Sequence, residues 1–203
     1  PAVSPRRPGA DSVMSSASVT GIVLAGGRGA RLGGADKGLQ RYRGRPLVEY
    51  MLDCLLPVVA TVVISANRNL DVYRTYRHAV VSDAANDFAG PLAGLLASLT
   101  AVTTDYALVL PCDMPLLGSS VPARLLDALQ CRHEQLLLAA DPLRQHYSVF
   151  ACRTEPALAS LRSAWDDGVR SLRGWQQRLD CGVVTFTDTK LFLNCNTSDM
   201  LRG

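Results

Sequence analysis

A three-layer α/β architecture, one mostly parallel sheet with helices on both faces, is what this chain predicts. Short apolar or β-branched runs alternate with helical patterns along most of its length. The first run feeds directly into a glycine-rich loop. A length of 203 residues with 48% hydrophobic content suits one sizeable core in a single domain. Strand and helix in alternation call for parallel strands joined by crossover helices, which cover both faces of the sheet.

The strand runs are Gly21 to Leu24, Val58 to Ser65, His78 to Ser82, Tyr106 to Pro111, Gln135 to Ala140, Tyr147 to Cys152 and Gly182 to Thr187. Continuous apolar character over so few residues is the pattern of strands buried on both faces. Helical patterns cover Leu47 to Leu55, Leu92 to Ala101, Pro122 to Cys131, Glu155 to Trp165 and Ser171 to Leu179. Pro91 and Pro122 can each occupy a first helical position, where the missing N–H costs little. In such folds ligands bind outside the carboxyl ends of the strands, so residues leaving strands at that edge are the candidates for chemistry.

The richest of these exits lies within Val19 to Gly38, VTGIVLAGGRGARLGGADKG. After Leu24, glycines are interleaved with Arg28 and Arg31 and followed by Lys37. Glycine allows close backbone approach and positive φ, so successive N–H groups can wrap a phosphate while the cations add charge. The loop reads as a polyphosphate cradle; an ordinary glycine turn would not need three cations. It is not a Walker loop, which requires G-x-x-x-x-G-K-S/T, because Lys37 lies between Asp36 and Gly38. The dinucleotide fingerprint also fails, with Leu32 where its third glycine belongs.

The formal charge of +3 is mild. It suits anionic small molecules and gives no concentrated basic stripe of the kind nucleic-acid binding uses. No apolar run reaches membrane-spanning length and no signal-peptide core is present, so a cytoplasmic protein without membrane partners is expected. Residues 1–18 are rich in Pro, Ser and Ala and read as a disordered leader, with Met14 as a natural start and the residues before it a remnant. The domain proper is 19–203. Cys54, Cys112, Cys131, Cys152, Cys181 and Cys195 form no C-x-x-C pair, and are expected as buried free thiols.

A second exit follows Tyr106 to Leu110, where the strand runs into PCDMP and delivers Asp113 to the same edge as the loop. Magnesium takes one or two carboxylates plus substrate phosphates, which Asp113 can satisfy. An aspartate opening a turn before Pro115 is the alternative.

The stretch LAGGRGARLGGADKG resembles the signature loop of the Rossmann-like nucleotidyltransferases, with Leu32 where their pattern carries methionine. Within that superfamily the chain most resembles the molybdenum cofactor guanylyltransferases, and the likeness runs from Val19 to Leu201. It implies a Rossmann-like sandwich, Mg²⁺ as cofactor, and GTP and molybdopterin as substrates. The terminal phosphate of molybdopterin would attack the α-phosphorus of GTP and release pyrophosphate. Cofactor-insertion proteins or recipient molybdoenzymes are the implied transient contacts. Lys37, Arg31 and Asp113 would be catalytic. Leu24, Ala25, Gly26 and Gly27 would meet the nucleotide, and Asp113 the metal.

Four further motifs extend the resemblance. Ser65-Ala66-Asn67 stands where the family has N-A-N, so Ser65 departs from it, and Asn67 keeps its amide. Asp83 occupies a nucleotide position, or is a plain turn aspartate. Gly90 to Gly94, GPLAG, opens a helix whose first N–H groups favour an anion or a base carbonyl. Asn194-Cys195-Asn196-Thr197 matches N-x-N-T, which makes Asn196 a second metal ligand or a helix cap. On the acceptor side, GVRSLRGW supplies Arg170 and Arg173 to grip the molybdopterin phosphate, or simply presents them on an exposed helix face. His146 is a weaker acceptor-side candidate beside Tyr147, which replaces the proline relatives carry. The competing readings are a cytidylyltransferase with similar loops and a nucleotide-binding accessory protein without chemistry.

Overall fold

The structure, a computed structural model, describes residues 19–26, 36–83 and 90–195. Nine strands appear among them: β1 (Val19–Leu24), β2 (Arg41–Tyr42), β3 (Arg45–Pro46), β4 (Thr61–Ser65), β5 (Ala79–Val81), β6 (Tyr106–Pro111), β7 (Leu136–Ala140), β8 (Gln145–Arg153) and β9 (Cys181–Thr185). Six α-helices accompany them: α1 (Leu47–Leu55), α2 (Leu70–Arg74), α3 (Pro91–Ala101), α4 (Ser120–Cys131), α5 (Thr154–Asp166) and α6 (Leu172–Gln176).

Seven strands form one sheet in the order β5-β4-β1-β6-β8-β7-β9. β5, β4, β1 and β6 run parallel, β8 is antiparallel to β6 and β7, and β9 pairs parallel with β7. The sheet is therefore mixed but mostly parallel. From β1 the chain adds β4 and β5 on one side and then crosses to place β6 on the other, so the topological switch point lies between β1 and β6.

Alternation along the central strands supplies both cores. Leu108 and Leu110 of β6 join Val23 of β1, Met51 and Leu55 of α1 and Leu125 of α4 on one face. Ala107 and Val109 turn the other way, to Ile22, Leu95 and Leu99 of α3 and Leu161 of α5. Gly21 lets α1 lie close on the sheet, since a Cβ there would sit 2.9 Å from Leu55 Cδ1. On the opposite face Trp175 of α6 is wholly buried and meets Phe150 edge-on at 5.9 Å between ring centroids.

Several boundaries differ from the sequence reading. Val58 to Ala60 precede β4 as the connection from α1, and β8 starts two residues before Tyr147. α6 covers only Leu172–Gln176. Pro91 does open α3, but α4 begins at Ser120, so Pro122 falls within its first turn, where its N–H is still not required. The hairpin of β2 and β3 turns on Arg43 and Gly44, both at positive φ (47° and 80°), the backbone that two-residue hairpin loops favour.

Candidate active site

The parallel strands end in register. Leu24 of β1 pairs with Ser65 of β4 and with Pro111 of β6, and Ser65 pairs with Val81 of β5. Residues 25–26, 66–67, 82–83 and 112–113 therefore leave the sheet at one edge. Antiparallel β8 brings its first residues, Gln145 to Tyr147, to that edge as well.

Lys37 and Asp113 meet across the switch point, with Lys37 Nζ 2.6 Å from Asp113 Oδ2. Asp113 is only 6% exposed, and a hydrogen-bonded ion pair at a partly buried sheet edge is held far more firmly than a surface pair. The Asp113 carbonyl accepts the Cys195 N–H at 2.8 Å, so the C-terminal N-x-N-T segment is tied to the same residue. Asn194 lies beside that tie, and Asn196 falls outside the described residues, as do Gly27, Arg31 and the leader.

The residues around Lys37 are fixed from a second direction, one the sequence did not reveal. Asp36 accepts the Tyr73 hydroxyl on Oδ1 at 2.6 Å and the Asn69 amide on Oδ2 at 3.0 Å. Tyr73 is fully buried in α2. Gly38 sits against it so closely that a Cβ would collide with the Tyr73 hydroxyl and approach Ala25 Cβ to 3.0 Å. Burial, then the Asp36 carboxylate, pushes the Tyr73 phenol far up, so it stays a donor. No spacing rule links Tyr73 to Asp36; α2 itself was not anticipated.

At the end of β1 the backbone is largely engaged. The Ser65 carbonyl accepts the N–H groups of Ala25 (2.9 Å) and Gly26 (2.8 Å), and the Leu24 carbonyl accepts that of Cys112 (3.2 Å). The Ser65 hydroxyl is turned under α3, where a Cβ on Gly94 would stand 2.6 Å from it. Ser65 thus shapes the site through its carbonyl and its packing. Asn67 and Asp83 form one unit. The Asn67 amide donates to Asp83 Oδ2 at 2.8 Å, and its carbonyl oxygen accepts the Asp83 N–H at 3.1 Å and the Ser82 hydroxyl at 3.0 Å.

Gly90 caps α3 at φ +91°, the left-handed region that favours glycine, and the Arg170 carbonyl lies 3.3 Å from where its Cβ would be. The start of α3 and the loop after α5 are therefore neighbours. The Arg170 guanidinium, however, donates to the Trp165 and Val169 carbonyls at 2.8 and 2.9 Å and stacks 4.0 Å from the Trp165 ring centroid. Its Nη1 is thus engaged at the end of α5. Arg173 instead lies 5.6 Å from the Tyr147 ring centroid, at the sheet edge.

His146 sits in the interior beneath this edge. It is 4% exposed, its Nε2 lies 3.0 Å from Asp141 Oδ2, and its ring stacks on Phe192 at 4.1 Å. Asp141 also accepts the Leu143 and Arg144 N–H groups, closing the turn between β7 and β8. Burial pushes the imidazole pKa down, against the pull of Asp141. A ring so enclosed braces the hairpin against the segment leading to Cys195. The Cys112 thiol, beside Asp113, is pushed far up by burial, which favours its neutral form.

Among the described residues no group of three or more His, Cys, Asp or Glu side chains is placed to hold a metal. At the switch point Asp113 offers a hard carboxylate oxygen beside Lys37. That donor set fits a cation that arrives with phosphate oxygens as its other ligands, and does not fit a resident structural metal.

A mixed sheet in this order, with Lys37 facing Asp113 across the switch point, has the architecture of a nucleotidyltransferase. Residues 21–180 match the family described as a MobA-like NTP transferase domain. A molybdenum cofactor guanylyltransferase of Cupriavidus taiwanensis is 40% identical over 189 residues, 91% of this chain and 95% of that protein. The chain belongs to the molybdenum cofactor guanylyltransferase family. Its fold is also that of the molybdopterin-guanine dinucleotide biosynthesis protein A of Archaeoglobus fulgidus, with a TM-score of 0.73 at 21% identity over 90% of this chain and 94% of the other. A Mycobacterium tuberculosis protein solved in complex with manganese has a TM-score of 0.66 at 17% identity, over 90% of this chain and 95% of its own.

Proposed function

We propose that this chain transfers GMP from GTP to the terminal phosphate of molybdopterin, forming the guanine dinucleotide and pyrophosphate in the cytoplasm. The observation that carries the assignment of the site is the Lys37–Asp113 pair at 2.6 Å, set at the switch point of a chain of this family. An acceptor phosphate oxygen attacks the α-phosphorus, the bond to the β-phosphate oxygen breaks, and pyrophosphate departs. No protein nucleophile is required, so positioning and charge neutralisation supply the catalysis.

Lys37, with Arg31 from the same loop, meets the charge that gathers on pyrophosphate. Asp113, joined by Asn196, would hold Mg²⁺, which when bound withdraws charge from the α- and β-phosphates. Asp83, oriented by Asn67, offers carboxylate oxygen to the hydroxyl and N–H donors of guanosine. Since the N–H groups of Ala25 and Gly26 serve Ser65, these residues meet the nucleoside through their carbonyls. Gly26, Gly27 and Gly90 allow the ligand close to the backbone. On the acceptor side Arg173 is the better-placed cation. Hand-over of the dinucleotide to cofactor-insertion proteins or recipient molybdoenzymes follows from the nature of the product.

The test is a comparison of GTP and CTP, each labelled at the α-phosphate, for transfer of label to molybdopterin with Mg²⁺ present. GTP should be used at least about tenfold better, the scale set by one unpaired buried polar group in the wrong complex. Equal use of CTP overturns the guanylyl assignment. Asp113→Ala should abolish transfer while leaving the thermal transition in place, and near-normal activity in that variant at limiting Mg²⁺ overturns the metal assignment.

A further inference from the structure

The mechanism above uses Lys37 but does not account for the side chains that hold its neighbours. Tyr73 is 0% exposed, belongs to a five-residue helix distant in sequence from the loop, and places its hydroxyl 2.6 Å from Asp36 Oδ1. Asn69, held in the left-handed region at φ +48°, gives its amide to the other oxygen of the same carboxylate at 3.0 Å. Both oxygens of Asp36 are thus bound from α2. Directly after it, Lys37 to Leu39 form one 3-10 turn, and Gly38 is pressed against the Tyr73 hydroxyl and Ala25. The Lys37 backbone is therefore fixed from the β4–β5 side of the sheet. Its ammonium reaches across the switch point to Asp113, just past the end of β6.

A buried phenol bonded to a half-buried carboxylate is a costly choice if packing is the only need, because phenylalanine fills the same volume without a polar group to satisfy. The bond gains its value from what it fixes. A lysine side chain loses considerable rotamer entropy when its head is held, and the total ordering cost is smaller when its backbone is already immobile. We propose that Tyr73, acting through Asp36, is a positioning residue for the transfer step, holding the Lys37 ammonium where the charge of the departing pyrophosphate develops. The proposal rests on the reading that Lys37 meets that charge. Tyr73 itself touches no substrate, and Asn69 completes the clamp on Asp36.

The experiment is a double-mutant cycle in the full chain, using Tyr73→Phe, Lys37→Ala and the pair, with kcat, KM for GTP and thermal midpoint measured for each. Tyr73→Phe keeps the ring that fills the core. It should lower kcat by about tenfold to a hundredfold, the cost of misplacing a preorganised group, while KM for GTP and the thermal midpoint change little. In the Lys37→Ala background the same change should cost less than about twofold, because a group acting through Lys37 has nothing left to position. Asp36→Ala, which alters a half-buried position, should show the same loss in kcat and the same dependence on Lys37. Purely structural roles would lower the midpoint and multiply with Lys37→Ala. A normal kcat in Tyr73→Phe, or multiplicative losses in the double variant, overturns the positioning role. Unchanged kcat in Lys37→Ala alone would overturn the reading of Lys37, a result distinguishable from the other two.

Discussion

At the scale of single residues, the closest contacts explain why certain small side chains stand where they do. Gly94 lies in the second turn of α3, where alanine would ordinarily favour the helix by about 1 kcal/mol over glycine. Its neighbour forbids this, since an added Cβ meets the Ser65 hydroxyl oxygen at 2.6 Å but the Ser65 Cβ only at 3.8 Å. The two positions are therefore coupled in a way that can be measured. Gly94→Ala alone should leave stability unchanged or lower it. The same substitution in a Ser65→Ala background should raise stability by roughly 0.5–1 kcal/mol, read from denaturant unfolding. Additive effects would show that the hydroxyl swings aside without cost. Because the Ser65 side chain faces α3, Ser65→Ala should also keep its preference for GTP over ATP and CTP in competition binding. Loss of that preference would mean the hydroxyl reaches the nucleoside after all.

At the scale of elements, the turn from β7 to β8 is the clearest unit with a function of its own. Asp141, His146 and Phe192 connect that hairpin to the 3-10 turn Thr189–Phe192, and Cys195 three residues later holds Asp113. Burial lowers the His146 pKa from the ordinary 6.5, outweighing Asp141 and acting in the same direction as nearby Arg144. The unfolded chain therefore binds a proton that the folded one resists, and stability falls as pH drops from about 6.5 through the lower folded value, by at most about 1.4 kcal/mol per pH unit for one proton. Asp141 acts in the same direction at lower pH: burial opposes its ionisation, but the Leu143 and Arg144 N–H groups and His146 pull its carboxyl below 3.8. Thermal midpoints measured from pH 8 to 5 should decline below 6.5 in the parent and decline less in His146→Gln; parallel curves would remove His146 from this role. The hairpin also marks how far the sequence was legible. Strands such as Tyr106 to Pro111 and helix Leu47 to Leu55 were readable to the residue, because both depend on local apolar pattern alone. Asp113 was legible as a strand exit and GPLAG as the opening of a helix. The burial of His146, the self-directed Arg170 and the Tyr73–Asp36 clamp were not, since each depends on a partner brought near only by the completed fold.

For the whole molecule, two cores on a seven-stranded sheet leave little sulfur in contact with water. Cys54, Cys112, Cys152 and Cys195 are buried, Cys181 is half-buried, and Cys131 at the end of α4 is exposed. Burial also pushes the thiols of Cys54, Cys152 and Cys181 up, to about 11, 12 and 11. Reaction with a thiol reagent at pH 8 should therefore show one rapid site, Cys131, with the others titrating only on unfolding. A second rapid site, located by peptide mapping, would contradict the burial described. The order of the strands carries a different kind of consequence. Residues 19–111 contain β1, β4, β5 and β6, so a chain emerging from the ribosome can pair its four parallel strands early. The backbone bond from Cys195 to Asp113 waits until the chain has passed β9 and reached Cys195. A nascent chain can thus complete its whole sheet and still lack the bond that ties Asp113 to Cys195, so the carboxylate is the last part of this edge to be held in place.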